Sequence, residues 1–346
     1  MNRILTLPNI NRNSITLSGV IHAAYKLLLA ASDIYVLSLL LYFAAYWILG
    51  NDDWWYVNLM TNFIHLMLLP ALIALPVAAL RRRPARIALW SPPVLMFVIL
   101  YGSLFLPGRG NTALESTTMI RAMTYNVAVN SVSSDDLIAA MRASDADIIA
   151  LEEFGLELQA ALKNELLEEY PYRIMAGEFI GGKGLFSRYP IEDYDIIELD
   201  FIDRSDIEAR LNVNGKTLTV HVVHPPHPNF QSNGRLFGDN PGTLSIIKRI
   251  IEHMNTDEPT IIMGDFNMTD QNDHYDLLKS AGLIDSFRTV GRGFGATFPA
   301  KFSPVPLVRI DYIWSTDHFM PLTSHVGTDA GSDHLPLISE LAWIDD

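Results

Sequence analysis

The sequence predicts a mixed α/β domain of two packed β-sheets flanked by helices, preceded by an all-helical membrane region. Apolar stretches of membrane-spanning length occupy the first third of the 346-residue chain, and short strand-like runs alternate with helical ones from Met119 onward. An Asn214-Gly215 turn between two strand-like runs predicts a hairpin. Hairpins combined with helical crossovers favour two packed sheets with helices outside.

Three apolar stretches near the N-terminus predict transmembrane helices, at about 30–50, 57–80 and 87–107. A helix needs about 20 apolar residues to cross a bilayer. The second and third stretches meet that length without charge, whereas the first must include Asp33. Three such stretches in succession argue against a soluble helical core and against a cleaved signal peptide. We therefore expect an integral protein of the cytoplasmic membrane, with the lipid bilayer as a partner.

Basic residues predict the orientation of these spans. The link between the second and third stretches holds Arg81, Arg82, Arg83 and Arg86, and basic links stay in the cytoplasm. The N-terminus is then inside, and everything after Pro107 is extracytoplasmic. We expect a linker at 108–118 and an outer domain at 119–346.

The net charge of −14 is unevenly distributed along the chain. After position 110 there are 17 basic and 36 acidic residues, a net charge of −19. Protein affinity for nucleic acid comes largely from neutralising phosphates, so this outer domain is poorly suited to holding a long polyanion by charge. The chain has no cysteine, which excludes disulfides and thiolate metal ligands.

The outer domain alternates strands and helices. Helices are predicted at Ser134–Arg142, with Ser134 as N-cap, at Gly155–Glu169 and at Thr243–Met254. Strands are predicted at Met119–Val129, Asp147–Leu151, Tyr172–Met175, Gly184–Ser187, Ile207–Val213, Thr217–Val223, Thr260–Met263, Arg309–Trp314 and Leu335–Leu341.

Polar residues gather at or beside six of these strands. They belong to the segments Thr124-Tyr125-Asn126-Val127, Leu151-Glu152-Glu153-Phe154, Val223-His224, Gly264-Asp265-Phe266-Asn267, Arg309-Ile310-Asp311-Tyr312 and Ser332-Asp333-His334. Strand ends form a rigid base for a site. Carboxylates, an amide and imidazoles are the groups that hydrolysis of a phosphate ester needs, together with a divalent metal and an activated water.

The ordered set of motifs resembles the endonuclease/exonuclease/phosphatase superfamily of metal-dependent phosphoesterases. The resemblance covers residues from about 119 to 346, and the order of the motifs makes it specific. It implies a four-layer α/β sandwich with the site at one edge of the two sheets.

The resemblance also implies a role for each motif residue. Asn126, Glu153 and Asp333 match metal ligands, and the oxygen-rich set suits Mg²⁺ or Mn²⁺. Glu152 precedes Glu153 where the family usually has Gln. Neighbouring strand residues point to opposite faces, so only one of them can face the metal, and the motif favours Glu153.

The remaining matched positions are catalytic. Asp265 and Asn267 match the pair that positions and activates the attacking water, and in an extended segment both would reach one face. His224 matches a residue that contacts phosphate or assists the leaving group. His334 matches the residue that polarises the phosphate or transfers a proton, and Asp311 matches the acid that orients it.

Several polar residues remain open to two interpretations. His221 alternates with apolar neighbours and is interpreted as structural, while His227 is equally consistent with a structural and a substrate-facing role. Arg188 is interpreted as positional, and Arg309 could pair with acids or contact phosphate. Thr297-Phe298-Pro299 falls where family members have a substrate-side loop.

These observations predict a membrane-anchored, metal-dependent phosphoesterase that hydrolyses a phosphodiester or phosphomonoester outside the cytoplasm, with nuclease-like chemistry. One alternative is a hydrolase of a lipid-linked phosphate or pyrophosphate at the outer leaflet, which tethering and acidity favour. The other is a catalytically inactive, membrane-tethered binding module.

Overall fold

The computed structural model describes residues 17–50, 52, 54–106, 118–129, 131–198, 205–228, 241–301 and 303–344. The predicted linker at 108–118 lies outside the described residues, apart from Thr118. The helices are α1 (Leu17–Leu49), α2 (Trp55–Leu80), α3 (Pro84–Tyr101), α4 (Ser134–Ser144), α5 (Leu156–Leu162), α6 (Pro241–His253), α7 (Asp273–Ser280) and α8 (Ser286–Val290), with 3₁₀ turns at Gly102–Phe105 and Phe179–Gly181.

Helices α1, α2 and α3 are long and apolar enough to cross a membrane, the third when its 3₁₀ extension to Phe105 is included. They indicate association with a membrane. The first begins at Leu17, well before the predicted start at about residue 30, and Asp33 lies inside it without ending it. The Asp33 carboxylate instead pairs with the Arg86 guanidinium of α3 at 3.2 Å.

The strands are β1 (Met119–Asn126), β2 (Ile148–Glu152), β3 (Tyr172–Ala176), β4 (Lys183–Ser187), β5 (Ile191–Glu198), β6 (Ser205–Val213), β7 (Lys216–Val223), β8 (Thr260–Asp265), β9 (Ile284–Asp285), β10 (Asp311–Ser315), β11 (Phe319–Val326) and β12 (Leu337–Trp343). They form two six-stranded sheets, in the orders β11-β12-β1-β2-β4-β3 and β5-β6-β7-β8-β10-β9. Each sheet has one parallel pair, β1 with β2 and β7 with β8.

Three apolar cores stack these elements into four layers. Residues such as Ala122, Ile148 and Val220 fill the space between the sheets. A second core joins the first sheet to α4 and α5, and a third joins the second sheet to α6 and α7. The predicted fold class, a four-layer α/β sandwich behind three long apolar helices, is therefore confirmed.

Two predicted helix details in this domain were wrong. The N-cap of α4 is Ser133, whose hydroxyl accepts from the Asp136 N–H at 3.1 Å, and not Ser134. The helix predicted at Gly155–Glu169 ends at Leu162. Arg173 donates to the carbonyls of Leu162 and Glu165 at 3.0 and 2.8 Å, so it satisfies groups that a longer helix would have used itself.

The α/β domain rests on the end of the helical bundle that is opposite the arginine-rich link. The Tyr46 hydroxyl donates to Asp273 Oδ1 at 3.1 Å, and the Asn272 amide donates to Asp52 Oδ2 at 2.8 Å. Both Asn272 and Asp52 are buried. These contacts join the end of α1 and the start of α2 to the loop that leads into α7.

Aromatic packing makes a second contact between the bundle and the domain. The ring of Phe294 lies 5.0 Å from His65 of α2, 5.7 Å from Tyr101 and 5.3 Å from Phe105, measured between centroids. His65 Nε2 also lies 2.6 Å from the Leu307 carbonyl oxygen. All three apolar helices thus contact the domain near one end.

Candidate active site

The parallel strand pairs bring four carboxyl ends to one edge of the sandwich. In the first sheet Asn126 of β1 lies opposite Glu152 of β2, and in the second Val223 of β7 lies opposite Gly264 of β8. Strand β10 begins at the same edge, where Asp311 pairs in register with Asp265. The topology therefore gathers side chains that lie far apart in the sequence.

Gly264 lets β7 and β8 approach closely at this edge. Its φ is +154°, and a Cβ at this position would lie 1.9 Å from the Val223 carbonyl oxygen. Glycine is therefore required by the backbone of the neighbouring strand as well as by its own conformation. The residues that follow, His224 and Asp265, come within 3.5 Å of each other between Nε2 and Oδ2.

Asn126 links the carboxylates of two different strands. Its amide nitrogen lies 3.0 Å from Asp265 Oδ2 and 3.4 Å from Glu153 Oε1, and its Oδ1 accepts from the Ala128 N–H at 2.9 Å. Glu153 Oε1 also lies 3.9 Å from His224 Nε2. The side chains of Asn126, Glu153, His224 and Asp265 thus form one buried or half-buried cluster.

The backbone at Glu153 decides which of the two adjacent glutamates reaches the cavity. Glu153 follows β2 with a φ of +53°, which ends the alternation of faces and turns its side chain into the cavity. Glu152, the last residue of β2, is fully buried, and its Oε1 accepts from the Thr124 hydroxyl at 2.9 Å. Burial, with the charge of Asp311, raises the pKa of Glu152 to about 8.

Asp265 and Asn267 face the cavity together, although the segment is a turn and not the extended chain that we expected. Asn267 has a φ of +53° and its N–H donates to Asp265 Oδ1 at 2.8 Å. Its amide nitrogen donates to the Pro225 carbonyl at 3.0 Å. Phe266 between them is buried in the core beside Tyr312.

His334 is held by a carboxylate on one side and an aromatic ring on the other. Its Nδ1 lies 3.0 Å from Asp311 Oδ2, and its Nε2 lies 3.7 Å from Asp265 Oδ2. The Phe298 ring lies 4.9 Å from the imidazole, centroid to centroid. The Ser332 hydroxyl donates to the Asn126 carbonyl at 2.7 Å and accepts from the His334 N–H, which ties this loop to β1.

Burial and neighbouring charges shift the pKa values of two groups in this cluster. Burial lowers the pKa of His334, but the charges of Asp311 and Asp265 outweigh it and raise that pKa well above its usual value. Burial raises the pKa of Asp265, while the charge of His334 opposes that rise.

A buried group of metal-ligand type includes Asp265, Asp311 and His334, whose ligand atoms lie within 4.8 Å of one another. This group could bind a metal. It differs from the predicted ligands, although Glu153 and Asp333 line the same cavity and Asn126 contacts Asp265. Asp311 Oδ1 is buried without a hydrogen-bond partner among the described residues. A cluster of carboxylates with few basic side chains beside it fits a hard divalent cation.

The cavity above these residues has a volume of about 640 Å³. Six of the eight predicted site residues line it, and the other two, Asn126 and Asp311, contact Asp265 and His334 from beneath. The lining also contains Asn62 of helix α2 and its neighbour Phe63, which we did not predict.

The sequence contains a pattern that could have predicted a contact of α2 with the α/β domain. Asn58, Asn62 and His65 form a polar stripe at helical spacing within an otherwise apolar stretch. Such a stripe indicates that one face of the helix contacts something other than lipid.

Of the residues left open to interpretation, two reach the cavity. His227 and Phe298 line it. Arg309 is buried in a two-pronged ion pair with Asp285, at 2.7 and 3.1 Å, so it does not face the cavity. Arg188 pairs with Asp145 at 2.7 Å, as a positional residue would.

His221 is buried away from the cavity. Burial, together with the charge of Arg249, lowers its pKa to about 4, although Glu208 Oε2 lies 3.7 Å from Nδ1. A neutral imidazole within β7 fits the structural interpretation.

Comparison with known proteins identifies a relative of this chain. The chain is 28% identical over 174 residues to the uncharacterized protein YbhP of Escherichia coli K12, an alignment that spans 46% of this chain and 62% of that protein. The chain thus spans less than two thirds of the length of that relative.

Solved structures share the fold. An endonuclease/exonuclease/phosphatase from Beutenbergia cavernae superposes with a TM-score of 0.54 at 20% identity, covering 65% of this chain and 72% of that one. TDP2 of D. rerio, in complex with single strand DNA product, has a TM-score of 0.50 at 18% identity, covering 65% and 99%.

The family model extends over most of the α/β domain. It describes the Endonuclease/Exonuclease/phosphatase family and matches residues 123–334, from within β1 to His334. That range contains all eight predicted site residues and more than half of the chain. This chain therefore belongs to the endonuclease/exonuclease/phosphatase family.

Proposed function

We propose that this chain is a membrane-anchored, divalent-metal-dependent phosphoesterase that acts outside the cytoplasm. The observation that carries the proposal is the meeting of four side chains around one cavity: Glu153, His224 and Asp265 at the carboxyl ends of strands from both sheets, and His334 in the loop before β12. Such a set of groups matches the needs of phosphate-ester hydrolysis.

Asp265 is the group that positions and accepts a proton from the attacking water. Its Oδ1 is held by the Asn267 N–H and its Oδ2 by the Asn126 amide, so the carboxylate cannot rotate freely. Burial brings its pKa closer to neutrality, which suits a general base. Water attacks phosphorus, the phosphorus–oxygen bond to the leaving group breaks, and the leaving oxygen takes up a proton.

His334 supplies positive charge and a proton on the other side of this carboxylate. Asp311 holds Nδ1 at 3.0 Å, which leaves Nε2 directed toward Asp265 and the cavity. An imidazolium in this position stabilises charge on a phosphoryl oxygen or donates to the leaving oxygen. His224 is buried beside Asp265 as well, and contacts the phosphate in the same way.

Asn126, Glu153 and Asp333 would hold Mg²⁺ or Mn²⁺, with Asp265 next to them. A bound cation supplies charge that polarises the phosphoryl group. The amide of Asn126 orients the carboxylates of Glu153 and Asp265, and so keeps the oxygen ligands together. Oxygen ligands without thiolates favour magnesium or manganese over zinc.

The proposed location outside the cytoplasm is supported by charge and by packing. The α/β domain contacts the bundle near Tyr46, Asp52 and Leu104. The arginine-rich link, residues 81–86, lies at the other end. Because basic links are retained in the cytoplasm, the domain at the opposite end would lie outside.

Hydrolysis assays on the full-length protein in detergent test the proposal. The substrates are bis(p-nitrophenyl) phosphate, p-nitrophenyl phosphate, plasmid DNA and phosphatidic acid, each with Mg²⁺, with Mn²⁺ and with EDTA. We expect metal-dependent turnover of at least one of them. Asp265→Asn and His334→Gln should lower it by at least about a hundredfold, because each removes a proton-transfer group.

The matched control is Asp276→Asn, an exposed acid on α7 in the same domain. It should leave turnover unchanged. Absence of metal-dependent turnover for every substrate would favour the inactive binding module, and turnover that survives Asp265→Asn would remove the proposed base from the mechanism.

A further inference from the structure

Helix α2 forms part of the wall of the candidate active site. Asn62 and Phe63 line the cavity together with Asp265, His334 and other residues of the α/β domain. Asn62 lies seven residues after Trp55, which corresponds to about 10 Å along the helix axis. The wall of the cavity therefore includes part of an apolar helix of membrane-spanning length.

Exposed tryptophans place this wall close to the membrane surface. Trp47, near the end of α1, is 85% exposed, and Trp54, just before α2, is 55% exposed. Tryptophan concentrates at the boundary between lipid and water. Phe63 lies about two turns beyond Trp55 along α2, on the side of these tryptophans where the apolar part of the helix continues.

Part of the cavity wall that the α/β domain forms is apolar, and its segment is joined to the same helix. Phe298, Val308 and Ile310 line it. The Leu307 carbonyl lies 2.6 Å from His65 Nε2 of α2. The cavity thus has a floor of carboxylates and imidazoles and a rim of apolar side chains beside the bundle.

A chain of side-chain hydrogen bonds connects helix α2 to the loop that follows Asp265. Asn62 donates to Asn58 Oδ1 at 3.1 Å, and Asn58 donates to Asp52 Oδ2 at 3.3 Å. Asp52 in turn accepts from Asn272, which holds the Thr269 N–H in the loop after Asp265. Helix α2 is therefore connected to the site by hydrogen bonds and not by packing contacts alone.

We propose that the substrate is a phosphate ester of a membrane lipid. This inference rests on the phosphoesterase function proposed above. The headgroup phosphate reaches His334 and Asp265 on the floor, and the hydrocarbon chain leaves between Phe63 and Phe298 toward the bilayer. The volume of about 640 Å³ admits a headgroup with its first chain carbons. The net charge of −19 after position 110 disfavours a long nucleic acid.

Competition between long-chain and short-chain lipids tests the inference. The full-length protein in nanodiscs receives dioleoyl and dihexanoyl phosphatidic acid together, and separately the two corresponding phosphatidylglycerols, with products measured by mass spectrometry. We expect the wild type to prefer a dioleoyl lipid by about tenfold, since the extra hydrocarbon is bound along α2. Phe63→Ala should lower that preference about fivefold, and Phe63→Leu should restore part of it.

Ile73→Ala is the matched control, because Ile73 lies on α2 but is 72% exposed and outside the cavity. It should keep the wild-type preference. Metal-dependent hydrolysis of bis(p-nitrophenyl) phosphate with no dioleoyl preference overturns the lipid inference and leaves the phosphoesterase function standing, as does faster hydrolysis of plasmid DNA. Lack of hydrolysis of every phosphate ester overturns both.

Discussion

A single backbone angle at Glu153 sets the composition of the candidate site. A strand alternates its side chains between two faces, so Glu152 and Glu153 would be expected to point apart. The φ of +53° at Glu153 stops that alternation immediately after β2. Glu153 therefore faces the cavity, while Glu152 lies one layer deeper beside Thr124.

The two glutamates should respond differently to loss of charge. Glu153→Gln should lower turnover by about a hundredfold and weaken the dependence on Mg²⁺, because it removes an anionic ligand next to Asn126. Glu152→Gln should retain turnover within about threefold, since burial already raises the pKa of Glu152 to about 8 and keeps it neutral at pH 7. Mg²⁺ titrations of the activity of both variants measure the difference. The reverse result would assign the ligand to Glu152.

Much of the site follows from residue types at strand ends, and the part that does not follow depends on long-range packing. Asn126, His224 and Asp265 each end or follow a buried strand, and that local pattern is visible in the sequence. Phe63 belongs to a helix whose contact with the site is created by docking of the bundle. A hydropathy pattern describes that helix as a membrane span, and the polar stripe within it indicates a contact other than lipid without identifying the part of the chain that makes it.

Among the elements, the central strands were predicted, and of the four edge strands only β3 was, at Tyr172–Met175, whereas β5, β9 and β11 were not. Strands such as β2 and β8 are buried on both faces and read as continuous apolar runs. Edge strand β5 carries four acidic residues, and edge strand β11 contains Pro321 at a register shift. Charges and proline protect exposed edges from unwanted pairing. They also interrupt the apolar pattern by which a strand is recognised in a sequence.

The close approach of β7 and β8 should make Gly264 intolerant of substitution. A Cβ in Gly264→Ala would meet the Val223 carbonyl oxygen at 1.9 Å, and this contact joins two central strands that cannot separate without breaking the sheet. We expect little folded protein, or a large fall in the midpoint of thermal denaturation. Size-exclusion chromatography and thermal denaturation of the full-length protein measure both.

Gly215→Ala is the control for Gly264→Ala. Gly215 lies in the hairpin turn between β6 and β7 and also has a positive φ, +91°. Among the described residues, however, no atom lies within 4 Å of the position that its new methyl group would take. The cost should be limited to the conformational penalty, about 1 kcal/mol. Equal effects of the two substitutions would show that the close contact is not what constrains Gly264.

At the scale of the whole molecule, the helical bundle has two chemically different ends. One end carries four arginines, of which Arg81, Arg82 and Arg83 form the short link between α2 and α3 and Arg86 lies in the first turn of α3. The other end holds the exposed Trp47 and Trp54 and contacts the acidic α/β domain. Helices α1 and α3 both run from the first end to the second. Because there are three long apolar helices among the described residues, the chain leaves α3 at the second end, which is the end that the α/β domain contacts.

Reporter fusions test the orientation of the helical bundle in the membrane. Alkaline phosphatase, which is active only after export from the cytoplasm, should be active when fused after Asp346 and inactive when fused after Arg83, between α2 and α3. A cytoplasmic reporter such as green fluorescent protein should give the opposite pattern at the same two positions. The physical reason is the cost of moving four arginines across the bilayer, which keeps their link inside. Active phosphatase after Arg83 with an inactive fusion after Asp346 would place the candidate active site in the cytoplasm, and would move the proposed lipid substrate from the outer leaflet to the inner one.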